Sequence, residues 1–265
     1  MQILLGPAGS PLSSTLEGIS ELKRLGLQCI EVQFTHGINM SKELAKKIGE
    51  EAKRKNITLS IHAPYFINLN SLESEKITAS KQRILKSCEL GEIMGANYLV
   101  FHAGYYSKKT PDETYKIIKE KVLEIQKEIN SKKWKIKLAI ETTGKTTVFG
   151  SLEETIRLVK ECKTSICVDF AHIYARQQGR INYSEIFDKL KILNLKDLHI
   201  HFSGIKFGKT GELNHEVMGK PDFDELAKEI LKRKIDVQII SESPITFEDS
   251  LKQKKIFEKL NYKFI

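Results

Sequence analysis

Cysteine is scarce. The 265 residues contain four, Cys29, Cys88, Cys162 and Cys167, each inside an apolar run and none in a CxxC spacing. That usage excludes a disulfide scaffold and a cysteine-based zinc module, and leads to the expectation of reduced core thiols in a cytoplasmic protein. No stretch approaches the roughly 18 consecutive apolar residues of a membrane-spanning helix. The opening segment, MQILLGPAGSPLSS, has no basic flank, which argues against a secretory signal. Also missing are a low-complexity linker, an abrupt shift of composition, and a GxGxxG turn after the first apolar run. Without that turn, a dinucleotide-binding open sheet loses its main support.

What is present is a mixture of 40% hydrophobic and 29% charged residues, which excludes disorder and collagen-like repeats. The net charge of +9 favours a polyanionic partner, because fixed cations displace counterions from a phosphate backbone.

Apolar runs recur at 2–6, 28–34, 57–62, 97–102, 136–141, 164–169, 197–202 and 237–242. They are rich in Ile, Val and Leu with little alternation, as strands of a parallel sheet buried on both faces should be. Amphipathic segments separate them at 14–25, 41–55, 72–94, 111–130, 152–161, 183–190, 223–232 and 248–260. Helix starts are signalled by Thr110-Pro111 with Glu113, by Ser151 with Glu154, and more weakly by Asp222 and Thr246. Eight strands alternating with eight helices predict an α/β fold, a single (β/α)8 TIM barrel over residues 1–265.

In such a barrel, functional groups sit at the C-terminal strand ends. Strands three to eight each end on a His, Asp or Glu: His62, His102, Glu141, Asp169, His201 and Glu242. Carboxylates gathered at one mouth repel each other unless cations neutralise them, and imidazole mixed with carboxylate suits zinc. His172, three residues after Asp169, and His215, in a glycine-flanked loop, point to the same rim. His199 shares a barrel face with His201, and His201 is preferred as a ligand because it lies nearer the strand end. His36 reads as a loop residue.

The segments SIHAPYFINL, VFHAGY, AIETTG, CVDFAHIYA, HIHFSG, NHEVMG and ISESP resemble, in order, the motifs of endonuclease IV. These are the zinc-dependent apurinic/apyrimidinic endonucleases among the xylose-isomerase-like barrels. The resemblance implies a monomeric enzyme that cuts double-stranded DNA 5′ to abasic sites, with two or three Zn2+ ions per chain. It implies that Glu141 bridges two zincs, one also held by His62 and His102, the other by Asp169, His201 and Glu242. A third zinc would fall to His172 and His215. Glu141 and Glu242 are then the catalytic carboxylates. Tyr65 matches a tyrosine near the DNA, and Lys108, Lys109, Arg176 and Lys206 are candidate phosphate contacts, with Arg180 and Lys209 on the same rim.

The chain departs from the family in places. Leu213 occupies the position of an aspartate that ligates the third zinc, and neither Glu212 nor Glu216 has that spacing. The strand-two loop, FTHGINMSK, lacks the longer arginine- and aromatic-bearing stretch, and Pro7 stands where a histidine is common. Two rival readings remain: a divalent-metal sugar isomerase or epimerase using Glu141, Asp169, His201 and Glu242, and a DNA-binding relative with little turnover.

Overall fold

The computed structural model describes residues 1–35 and 37–264, so His36 lies outside the described residues. In chain order the elements are β1 (Ile3–Pro7), α1 (Thr15–Arg24), β2 (Cys29–Gln33), α2 (Lys42–Lys55), β3 (Thr58–His62), α3 (Ser74–Met94), β4 (Tyr98–Phe101) and α4 (Pro111–Ser131). They continue with β5 (Lys137–Glu141), α5 (Leu152–Cys162), β6 (Ser165–Asp169), α6 (Phe170–Arg176), α7 (Tyr183–Leu190) and β7 (Asp197–Phe202). Last come β8 (Gly204–Gly208), β9 (Gly211–Glu216), α8 (Phe223–Arg233), β10 (Asp236–Ser241) and α9 (Phe247–Lys259).

Eight strands pair in parallel in the order β1-β10-β7-β6-β5-β4-β3-β2. The two edges then meet: Gln28 N donates to Leu5 O at 3.0 Å, Gly9 N donates to Glu31 O at 2.9 Å, and Ala8 bridges Glu31. The expected (β/α)8 TIM barrel is the result. Its seam depends on Gly6, where a Cβ would sit 1.7 Å from the Cys29 carbonyl oxygen. Backbone cannot yield as a flexible side chain can, so Gly6→Ala is expected to cost about 3 kcal/mol and lower the melting temperature by roughly 6–12 °C. A thermal melt checks this.

Each strand is buried because helices cover its outer side, and the main apolar core lies between sheet and helices. Thr110 and Ser151 each form the full capping box with Glu113 and Glu154, and Asp222 caps α8. Thr246 stands at the start of α9 with φ 54° and makes no side-chain cap hydrogen bond.

Two elements interrupt the simple alternation. A short helix, α6, begins directly at the end of β6, and the excursion after β7 is an antiparallel hairpin, β8–β9. Both stand over the C-terminal mouth of the barrel. Among the described residues, no helix is long and apolar enough to cross a membrane.

Candidate metal centre

Parallel strands deliver their last residues to one rim, and the barrel's curvature turns them inward. Glu141, at the end of β5, is fully buried at the centre of the group. Its Oε2 lies 3.1 Å from His62 Nε2 and 2.9 Å from His102 Nε2. Its Oε1 lies 3.3 Å from both His172 Nδ1 and His201 Nδ1. Burial alone would raise this carboxyl, but the charges of His102 and His201 hold it well below the ordinary range.

His62 donates from Nδ1 to the Ala63 carbonyl at 2.7 Å, which fixes the ring and aims Nε2 at Glu141. Burial pulls this imidazole down, yet Glu141, backed by Glu31 and Glu242, holds it up at about 9. Asp169, closing β6, also caps α6 by accepting from His172 N at 2.6 Å. Burial, with the charges of Glu242 and Glu141, lifts its carboxyl to about 6, although His172 and His215 pull it down. The cap sets the first turn of α6 so that His172 enters the mouth, where Nδ1 meets the Thr142 carbonyl at 3.0 Å.

Glu242 follows β10 and places Oε2 3.4 Å from His201 Nδ1 and 3.7 Å from His215 Nε2. Burial opposes its charge, but His201 keeps its carboxyl far below the ordinary value. His215 comes from β9, with Nδ1 paired to the Ser203 hydroxyl at 2.7 Å.

Metal binding can be tested on the donor atoms themselves. Three overlapping sets have all their donor atoms within 4.8 Å of one another: His62, His102 and Glu141; Glu141, Asp169, His201 and Glu242; and Asp169, His172 and His215. Glu141 Oε1, Asp169 Oδ2, His172 Nε2 and His201 Nδ1 are buried without a hydrogen-bond partner. Buried polar atoms ordinarily have partners, so four orphans on residues of these sets fit cations as the missing partners. A fourth set, Cys167, His199 and His201, lies deeper, where burial pushes the Cys167 thiol up and keeps it protonated.

The geometry separates the two histidines of β7. His201 faces the carboxylates at the mouth. His199 lies one layer down, where burial lowers its imidazole and Nε2–H donates to Glu31 Oε2 at 2.9 Å. Sequence reasoning misses Glu31. It is fully buried in β2, accepts from the Ser60 hydroxyl at 3.0 Å, and places Oε1 3.0 Å from His201 Nε2. Burial opposes its charge, but His201 and His199 hold it at about 2. One carboxylate thereby fixes the ring of His201 from behind, the arrangement that orients metal-binding imidazoles. A lone acid inside the apolar run CIEVQF is the available signal.

A model of the xylose isomerase-like TIM barrel matches residues 19–258. An uncharacterized protein of Methanocaldococcus jannaschii is 37% identical over 274 residues, covering 98% of each chain. The chain belongs to the xylose isomerase-like TIM barrel family. Within this barrel family it is also similar to a probable endonuclease 4 of Mycoplasma mobile, 26% identical over 198 residues, covering 69% of this chain and 68% of that one. Solved barrels of the same fold include endonuclease IV from Thermus thermophilus (TM-score 0.73, 18% identity, 98% of both chains). They also include a D-tagatose 3-epimerase-like protein (TM-score 0.71, 20% identity, 98% of this chain and 96% of that one).

The family's mouth is here a cavity of about 260 Å³, into which Tyr65, Tyr105 and Lys145 project beside the histidines. Lys108 is exposed and Lys109 half-buried, and neither lines that cavity. Arg176, read from the sequence as a candidate phosphate contact, is half-buried and engaged within the protein. Its Nη1 donates to the Val148 carbonyl at 2.9 Å and to Thr143 Oγ1 at 3.2 Å, so the guanidinium braces the loop after β5. Lys206 is exposed on β8, where strand alternation sets it on the hairpin face opposite His215. Lys145, inconspicuous in the sequence because it follows no helix or basic run, is the lysine at the cavity.

Proposed function

We propose that this chain is a zinc-dependent apurinic/apyrimidinic endonuclease, hydrolysing the DNA phosphodiester 5′ to an abasic site. The observation that carries this is the pairing of His62 with His102 on one oxygen of Glu141, beside a second pair, His172 and His215, across the same cavity. His62, His102 and Glu141 would hold one cation; Glu141, Asp169, His201 and Glu242 a second; His172 and His215 would contribute to a third. Bound cations would supply Lewis acidity towards the phosphodiester and its attacking water.

The protein's own groups account for the rest. Glu242 is the strand-end carboxylate with some access to solvent, while Glu141 and Asp169 have none, so Glu242 orients the attacking water. Tyr65 and Tyr105 flank the opening and offer faces to sugar or base. Lys145 supplies positive charge towards the phosphate. A cavity this small favours a nucleotide without its base, which also unstacks cheaply.

Metal analysis is expected to find more than one zinc per chain, and nicking of an abasic-site duplex is expected to vanish with EDTA. Binding should weaken with salt at a slope of about −0.9 per phosphate contacted. A flat salt response would remove DNA from the reading.

One observation favours a second reading. Glu141, Asp169, His201 and Glu242 alone make a four-donor set. With one divalent ion, the two glutamates could move protons on either face of an enediol, as a sugar epimerase requires. A single manganese per chain, with turnover of a ketose and no nicking, would establish that alternative.

A further inference from the structure

We infer that Glu212 is a further protein ligand of the cation shared by His172 and His215, beside Asp169, taking the place that Leu213 leaves without a donor. The inference rests on the metal-centre reading above and concerns how this hairpin completes it.

In an unbroken antiparallel strand, His215 and Leu213 would share one face and Glu212 would lie on the other. The pairing of β8 with β9 is not unbroken. Ile205 stands opposite His215 and Lys206 opposite Asn214, but Phe207 stands opposite Glu212. Leu213 is therefore the extra residue of a β-bulge, a device that re-aims the side chain beside it. Ile205 and Phe207 share a face, and both lie against α6, in contact with Ala171 and Ala175 or with Tyr174. The bulge thus turns Glu212 onto the face of His215, towards α6, and leaves Leu213 56% exposed.

Three further contacts hold Glu212 there. Its backbone N donates to the Gly144 carbonyl at 3.2 Å, next to a bridge between Lys145 and Gly211. Gly144 leaves room for the side chain, since a Cβ at that position would meet Glu212 Cβ at 2.6 Å and Oε2 at 2.9 Å. Glu212 Oε2 then lies 3.4 Å from His172 Nε2. That nitrogen is buried, has no hydrogen bond, and belongs to a ring whose Nδ1 is already engaged by Thr142. The ring centroids of His172 and His215 are 5.2 Å apart, and Glu212 lines the cavity with both. Asp169, His172 and His215 already bring their donor atoms within 4.8 Å of one another, and Glu212 adds a second carboxylate on the His172 side, a donor set suited to zinc.

The test is titration of the metal-free full-length protein with Zn2+ against a chromophoric chelator, with melting of the metal-free forms as the check on folding. Wild type is expected to bind three equivalents. Glu212→Gln should bind two as before and the third at least about 10–100-fold more weakly, the loss typical of even an outer partner of a metal ligand. Leu213→Asp should leave all three unchanged, because its side chain points to solvent, and so should Glu216→Gln on the opposite face. The inference is overturned if Glu212→Gln keeps the wild-type third affinity, or if wild type binds two and Leu213→Asp gains a third. In either case the two-cation core stands. Failure of wild type to take up any zinc would instead remove the metal-centre reading itself.

Discussion

Glu141→Gln is expected to abolish nicking of abasic-site DNA, by a factor of about 10³ or more, and to lower the zinc content of the purified protein. The size follows from position. Both oxygens of Glu141 face imidazoles, Oε2 towards His62 and His102, Oε1 towards His172 and His201. A carboxylate there would help hold two cations on the proposed reading; an amide offers one oxygen and no charge. Removing several kcal/mol of electrostatic stabilisation around a carboxylate that is itself fully buried amounts to three or more powers of ten in rate. The shape of glutamine is nearly that of glutamate, so the metal-free variant should retain its fold, and a thermal melt without zinc separates lost chemistry from lost structure. Nicking and zinc content equal to wild type would sink the proposed function.

The second large effect is on stability. Glu31→Ala is expected to destabilise the metal-free protein by about 3–5 kcal/mol, or roughly 6–20 °C in melting temperature. Glu31 answers His199, His201 and Ser60 in a layer with no access to water. Without it, the His199 imidazole and the Ser60 hydroxyl lose their acceptor and His201 loses a charge partner 3.0 Å away. A pH signature accompanies the loss. The Glu31 carboxyl sits at about 2 in the folded protein against an ordinary 4.5. The unfolded chain binds its proton first, so this contribution is fully present above about pH 4.5 and is lost as pH falls through 2. Wild type should therefore lose stability across that window, and Glu31→Ala should lose less there. A variant melting within experimental error of wild type would show that Glu31 does not hold the two histidines. Zinc affinity is expected to fall about 10–100-fold as His201 loses its support.

These two acids show where reading a sequence succeeds and where it stops. Glu141 is legible because it terminates an apolar run, IKLAIE, and a residue in that position of a parallel barrel emerges at the mouth. Glu31 is hidden because it sits inside its run, and a strand of a barrel interior looks the same in sequence whether its inward residues are apolar or form a polar layer. His199 and His201 differ by one layer of depth, and nearness to the strand end singles out His201 as the one that faces the carboxylates, while the partner of His199 one layer down is not legible. Arg176 eludes the sequence for a related reason: the Val148 carbonyl it braces comes from a loop 28 residues away in the chain.

The chain order of apolar runs, their number, and the polar residue ending each of six strands follow from local composition, since strand and helix periodicities and turn chemistry act over a few residues. That much establishes an α/β barrel with a rim of imidazoles and carboxylates. Which of these groups meet, and through which atoms, is settled by curvature, lumen depth and cross-strand pairing. The bulge at Leu213 is the clearest instance. It exists only as a mismatch in count between β8 and β9, and it exchanges an exposed leucine for a carboxylate aimed at His172. Side-chain direction in a strand alternates with every residue, so one unpaired position reverses what the local sequence would say.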